Sequence, residues 1–542
     1  MKIQTGFLIA AVAIFLAAVA VVERRSFGAR ADLVIANGPE PESLDPAKAT
    51  SQPDGRIVSS LFEGLTRYRA QDGAPEPGLA ESWEISEAGR VYEFQLRDGL
   101  RWSDGTPLVA QDVVFSWRRV ALPETGAGYA NLLEPVENAS AIMSGAAEPE
   151  ALGVEAMDAR RLRVRLERAT PYFLALCAHW TLAVIPEAHV ERFGSGWTLA
   201  TPTPTSGPYC LNGWRVNDRV RLQKNPLYWD AANVAIETVD WLPVTAPNVA
   251  LNLYESGAVD VIWDKGLMPV ELLDRLIERP DFHSFRYLGT YFIRFNSTRV
   301  PFDNPEVRRA LSLAIDRESL LARIVSTGET VATGLTPPGI PGYEGPELAR
   351  FDVQAARRAL AQAGYPGGEG FPTVAYFFNA SAAGSGAIHQ QIAVELQAMW
   401  QENLGIEVGM RRAESKAFIA AQRALEYDLS RSSWIGDYND PYTFLEVFSS
   451  GSRNNRTGWR DPAYDRFLED SNATLVASDR QRALQDAERR LVEEEVVVAP
   501  LFHYAGLNAY DPQRWEGIYG NVLDQHPVRS IRPRGEEGSQ TR

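Results

Sequence analysis

Between residues 373 and 434 the hydrophobic period of the chain switches back and forth between two and 3.6. A strand pattern at 373–379 gives way to a helical one at 387–402, a strand at 406–410, a helix at 415–425 and a strand at 427–434. Strands joined through helices can lie side by side only as a parallel, covered sheet, so this stretch commits its part of the chain to an α/β fold. The last strand delivers Arg431 and Trp434, breaks at Gly436 and opens into Asp437-Tyr438-Asn439-Asp440-Pro441. Strand ends of this kind are where α/β proteins place ligand contacts. Here a carboxylate at Asp437 could receive an ammonium group and Arg431 a carboxylate, with the Trp434 indole as an apolar wall. The same residues also read as a turn in which Asp and Asn cap local backbone, the tryptophan is core, and Arg431 pairs with Asp428 or Asp440.

Upstream the text differs. After a strand at 32–36 and a helix at 56–62, residues 65–120 are short alternating segments. In one of them Tyr92, Phe94 and Leu96 share a face. Trp102-Ser-Asp-Gly105 reads as a tight turn, and strands follow at 162–166, 220–222 and 238–242. From Tyr287 onward the helices are longer and better capped, by Asn304 before Pro305, by Asp316 and by Asp352. A helix at 480–494 leads into an apolar strand at 496–504. Crossings near Tyr287 and Ala499 imply an inserted second lobe joined by two strands, a connection that permits hinge closure.

The 542 residues exceed one core, and a formal net charge of −16 argues against nucleic acid as a partner. The 6 histidines never fall four apart, and no HExxH or CxxC is present, so no metal or other cofactor is expected. No GxSxG elbow marks a hydrolase, and an enzyme is not expected. The apolar run 6–22 reads as a signal-peptide core or an inner-membrane tether, and either puts the body outside the cytoplasm. In that oxidising setting Cys177 and Cys210 are either bridged or, as the apolar run 172–176 suggests, free with Cys177 buried.

A series of short motifs runs the length of the chain. Among them are Glu42-Ser-Leu-Asp-Pro46, Leu61-Phe-Glu-Gly-Leu65, Gly78-Leu-Ala-Glu-Ser-Trp83, Trp102-Ser-Asp-Gly-Thr-Pro107, Ser206-Gly-Pro-Tyr209, Asn225-Pro-Leu-Tyr-Trp229 and Val307-Arg-Arg-Ala-Leu311. With these, in this order, the sequence resembles the peptide-binding branch of the family 5 extracellular solute-binding proteins. The resemblance implies an α/β, two-lobed periplasmic binding protein (type II, cluster C-like) with an extra small domain in the first lobe and a two-strand hinge. It divides the chain into 1–31 (signal peptide or anchor), 32–66 with 197–286 and 503–535 (first-lobe core), 67–196 (extra domain), 287–502 (second lobe) and 536–542 (tail). It implies a periplasmic, monomeric receptor that passes short peptides to the permease subunits of an ABC importer. A dipeptide, a murein peptide, a nickel complex or a sugar is the alternative cargo.

Residue by residue, the resemblance puts Asp437 on the peptide α-ammonium and Arg431 and Arg423 near its carboxylate. It gives His389 to peptides of other lengths, and Tyr129, Trp434 and Asn379 to the cleft lining. Thr50, Ser415 and Val325 replace a family glutamate, tryptophan and lysine, while Gly289 and Ile435 occupy the positions of a family disulfide.

Overall fold

Two long antiparallel strands, Phe282–Phe295 and Val498–Tyr510, pass through the middle of an eleven-stranded sheet. The computed structural model describes residues 29–535 apart from 201, 326–327, 348–349 and 381–384. The 6–22 segment and the 536–542 tail therefore lie outside the described residues. On one side of the two long strands stand Leu429–Ile435, Val374–Ala380 and Val408–Glu414, mutually parallel. On the other stand Val261–Ile262, Leu33–Ala36, Thr238–Leu242, Arg219–Lys224 and Tyr209–Arg215. The short Thr330–Val331 strand adds to Val498–Tyr510.

The pairing of the two long strands breaks between Arg286↔Ala505 and Thr290↔His503. Before the break they belong with the strands from the early part of the chain; beyond it Gly289 to Phe295 pair with Ile435 to Leu429. The return strand thus runs on to Tyr510, past the end expected from its apolar run at 504, because its second half belongs to the other half of the sheet. Gly289 and Ile435 stand directly opposite in register. A Cβ at Gly289 would lie 2.4 Å from Ile435 Cδ1, so the isoleucine fills the space where the family has a bridge.

The alternating stretch folds as its period dictates, with helices Ser385–Leu404 and Ser415–Arg423 between parallel strands. Trp400 is fully buried and donates to Leu311 O at 3.0 Å. The caps operate as read: Asn304, Asp316 and Asp352 accept from the backbone N–H of Glu306, Ser319 and Ala355. The alternating upstream segments form a four-stranded antiparallel sheet, with Tyr92, Phe94 and Leu96 each 1% exposed. Its core is continuous with apolar residues around Tyr438, Tyr442 and Phe448, so the 67–196 region packs on the turn that ends the alternating stretch.

The cysteines are both free. Cys177 is buried, which pushes its thiol up, and Cys210 Sγ accepts from Thr205 Oγ1 at 3.6 Å. Among the described residues no helix is long and apolar enough to cross a membrane.

Candidate functional site

Strand Leu429–Ile435 ends where Gly436 N–H donates to Leu288 O at 2.8 Å, and the turn that follows distributes its polar groups unequally. Asp440 is held by Arg480 through two bonds of 2.7 and 2.9 Å and accepts from Tyr442 N–H at 2.9 Å. Asn439 donates to Asp72 O at 3.0 Å. Asn439 thus reaches a distant segment, and of the turn's acids Asp440 is the cap of the plainer reading. Asp437 is not. Its backbone N–H donates to Thr443 Oγ1 at 3.2 Å, but its carboxylate has neither a hydrogen bond nor an ion pair among the described residues.

The carboxylate of Asp437 instead faces a cavity of about 150 Å³ shared with Tyr68, Tyr129, His179, Tyr287 and Gln525. Burial pushes its pKa up to about 6. The walls carry no compensating positive charge. Burial holds His179 neutral, down at about 3, with Nδ1 accepting from Thr181 N–H at 3.2 Å, and raises the phenols of Tyr68 and Tyr129. A half-buried carboxylate with uncharged aromatic neighbours has the chemistry to accept a small cation such as an ammonium group.

Arg431 sits farther back on the same strand, paired in register with Ile293, with its guanidinium 5.3 Å from the centre of the Tyr291 ring. Asp428 pairs with Arg299 at 3.4 Å and Asp440 with Arg480, so neither carboxylate proposed for Arg431 reaches it. Among the described residues it has no carboxylate partner. Tyr291 Oη lies 3.4 Å from His389 Nδ1; burial, and then Arg431, push His389 down to about 3, so this imidazole is neutral. The phenols of Tyr291 and Tyr504 are raised by burial and partly brought back by Arg431. A guanidinium with no counter-charge, set among phenols and a neutral imidazole, has the chemistry to accept an anion.

The other expected residues divide. Asn379 donates to Ser415 Oγ at 3.4 Å while its Oδ1 is buried without a partner. Tyr129 lines the Asp437 cavity and donates to Thr50 O at 3.4 Å. Trp434, three residues from Arg431 on a strand, points to the opposite face and packs against the Tyr438 core, its Nε1 buried and unpartnered. Arg423 is exposed in the last turn of its helix, beside Arg456, and does not line the Asp437 cavity. Val325 is buried in the core of its half, so it brings no charge. An ion pair between Lys265 and Glu329 joins the 197–286 region to the 287–502 region.

Sequence reasoning missed Tyr68, His179, Tyr287 and Gln525 in the cavity wall. Tyr287 carried a signal, since it stands at the expected crossing. Gln525 carried none, because the segment around it has no period.

The profile of the bacterial extracellular solute-binding proteins, family 5 Middle, matches residues 74–456. The chain is 34% identical over 513 residues to the periplasmic oligopeptide-binding protein OppA of Salmonella typhimurium, covering 92% of each. Its fold superposes on the unliganded open form of the periplasmic murein tripeptide-binding protein MppA with a TM-score of 0.83. The identity is 32%, with 92% of this chain and 96% of that one covered. On Haemophilus influenzae OppA in complex with the peptide RPPGFSPFR the TM-score is 0.71, at 31% identity over 92% and 98%. The chain belongs to the family 5 bacterial extracellular solute-binding proteins, with their two-lobed α/β fold.

Proposed function

We propose that this protein is the substrate-binding component of a peptide ABC importer. In this reading it captures extended short peptides in an interlobe cleft and delivers them to inner-membrane permease subunits. The observation that carries it is a pair of opposite charges on one stretch of chain, Asp437 facing its cavity and Arg431 farther back among phenols, neither of them matched by a counter-charge among the described residues. A zwitterion with an extended backbone satisfies both. Residues 431 to 437 span at most about 20 Å, within reach of a short peptide. Backbone pairing of such a peptide with strand edges gives affinity without reading side chains.

The division into a first lobe of 32–66, 197–286 and 503–535, an extra domain of 67–196 and a second lobe of 287–502 follows the same reading. The hinge then lies at the register break of the two long strands. The better superposition on an unliganded open relative than on a peptide complex of near-equal identity supports an open arrangement of the lobes. We place the mature protein in the periplasm as a monomer, exported by the 1–31 segment, and assign it no catalytic step.

The test is native mass spectrometry of the protein after ligand has been stripped by unfolding and refolding. It is offered tri- to pentapeptides, a nickel complex and a sugar in parallel. Adducts with peptides alone are expected. Adducts with the sugar or the nickel complex and none with peptides would overturn the reading.

A further inference from the structure

We propose that Tyr172 is a positioning residue for Asp437, gripping the Asp437 turn from the 67–196 region without lining its cavity. The inference rests on the reading that Asp437 receives the ligand's ammonium group. Tyr172 is 5% exposed, and its ring stacks on one residue of that turn and on the first residue of the short helix Tyr442–Leu445 that follows it. Tyr438 lies 4.7 Å away at an interplanar angle of 10°, and Tyr442 5.1 Å away at 22°. A second contact from the same region reinforces the grip. Asn439 Nδ2 donates to Asp72 O at 3.0 Å, and Gly73, at φ +70°, leaves room for it: a Cβ there would stand 3.3 Å from Asn439 Nδ2. From the turn's own side, Tyr438 Oη donates to Glu446 Oε1 at 3.0 Å and Asp440 is locked to Arg480.

The need for such a grip follows from the carboxylate itself. A desolvated, unpartnered carboxylate gains by swinging toward water, so it stays poised for an ammonium only if the backbone beside it is fixed. Tyr438 is the next residue, and its ring is held by stacking from another region. Amine recognition is thereby set by an element that makes no contact with the ligand. A residue serving only the fold would affect binding equally with or without the carboxylate.

The experiment is a double-mutant cycle on the full stripped protein, reading the Kd of trialanine by calorimetry for wild type, Tyr172→Ala, Asp437→Ala and the double variant. Thermal unfolding establishes that each is folded, and Tyr172→Leu replaces Tyr172→Ala if the latter does not fold. Expected is a loss on the order of tenfold for Tyr172→Ala, recovered to within about twofold by Tyr172→Phe. In the Asp437→Ala background the same substitution should change Kd by less than about twofold. Equal losses in both backgrounds, or no loss in either, overturn the proposal. Should Asp437→Ala alone leave Kd unchanged, the ammonium reading of Asp437 falls and takes the proposal with it, an outcome distinct from equal losses.

Discussion

The two charged positions on this strand are built in different ways. Arg431 is surrounded by Tyr291 and His389 from its own half of the sheet and its helices, and by Tyr504 at the register break of the return strand. Asp437 looks into a cavity whose walls come from distant parts of the chain, with Gln52 and Gln525 from near its two ends, Tyr68, Tyr129 and His179 from 67–196, and Leu288 from beside its own strand. On the proposed division the anion end draws chiefly on one lobe, with Tyr504 added from just past the crossing, whereas the ammonium end is a composite that exists only when regions are correctly apposed. Ligand affinity at the first should therefore depend less on lobe arrangement than at the second.

The most direct way to break this contrast is Asp437→Ala. A charge-assisted hydrogen bond contributes roughly 1.5–3 kcal/mol, so a free-amine tripeptide should bind about 10- to 100-fold more weakly by calorimetry. Next comes pH. The protonated form of Asp437 cannot hold an ammonium, and burial pushes its pKa up to about 6. Affinity should be flat from about pH 7 to 8, fall toward tenfold per pH unit below 6, and fall again above 8 as the peptide amine loses its proton. The folding contribution has the opposite sign, since a carboxyl raised from 3.8 destabilises the unliganded protein where it is ionised and ceases to do so as pH drops from 6 toward 4. Glu446, which burial pushes up to about 7 although it accepts from Tyr438, titrates nearby, so the acid limb is assigned by its disappearance in Asp437→Asn.

A smaller effect is expected from Arg431→Ala, about 3- to 20-fold against a free carboxylate, with little change for the C-terminally amidated peptide. The smallest should follow Lys265→Ala. An ion pair of this partly exposed kind contributes less than about 1 kcal/mol, and its loss should shift the lobe equilibrium seen by small-angle scattering while changing Kd by under about threefold. A larger loss for amidated than for free peptides in Arg431→Ala would reverse the comparison.

The second half of the chain was more legible in the sequence than the first. Caps at Asn304, Asp316 and Asp352 and the alternation of periods from 373 to 434 are local signals, and each became the element it announced. Arg431 and Asp437 were legible because a strand end in such a fold is a privileged place. What the sequence left open was which acid of the turn is spent on capping. Asp437 and Asp440 are equivalent by composition, and only the arrival of Arg480 from a distant helix separates them. Trp434 showed the limit of proximity along the chain, since alternation turns it away from Arg431 into the core. The cavity wall was least legible because Tyr68, His179 and Gln525 lie in three separate segments whose only common feature is the space they enclose.

One titration bears on the central claim most directly. Stripped wild-type protein and Asp437→Ala are each titrated with one tripeptide and with its N-acetylated form at pH 7.5. The account predicts that acetylation weakens wild-type binding by about tenfold or more and has no further effect once Asp437 is gone. Equal affinity of wild type for the free and acetylated peptides would contradict it.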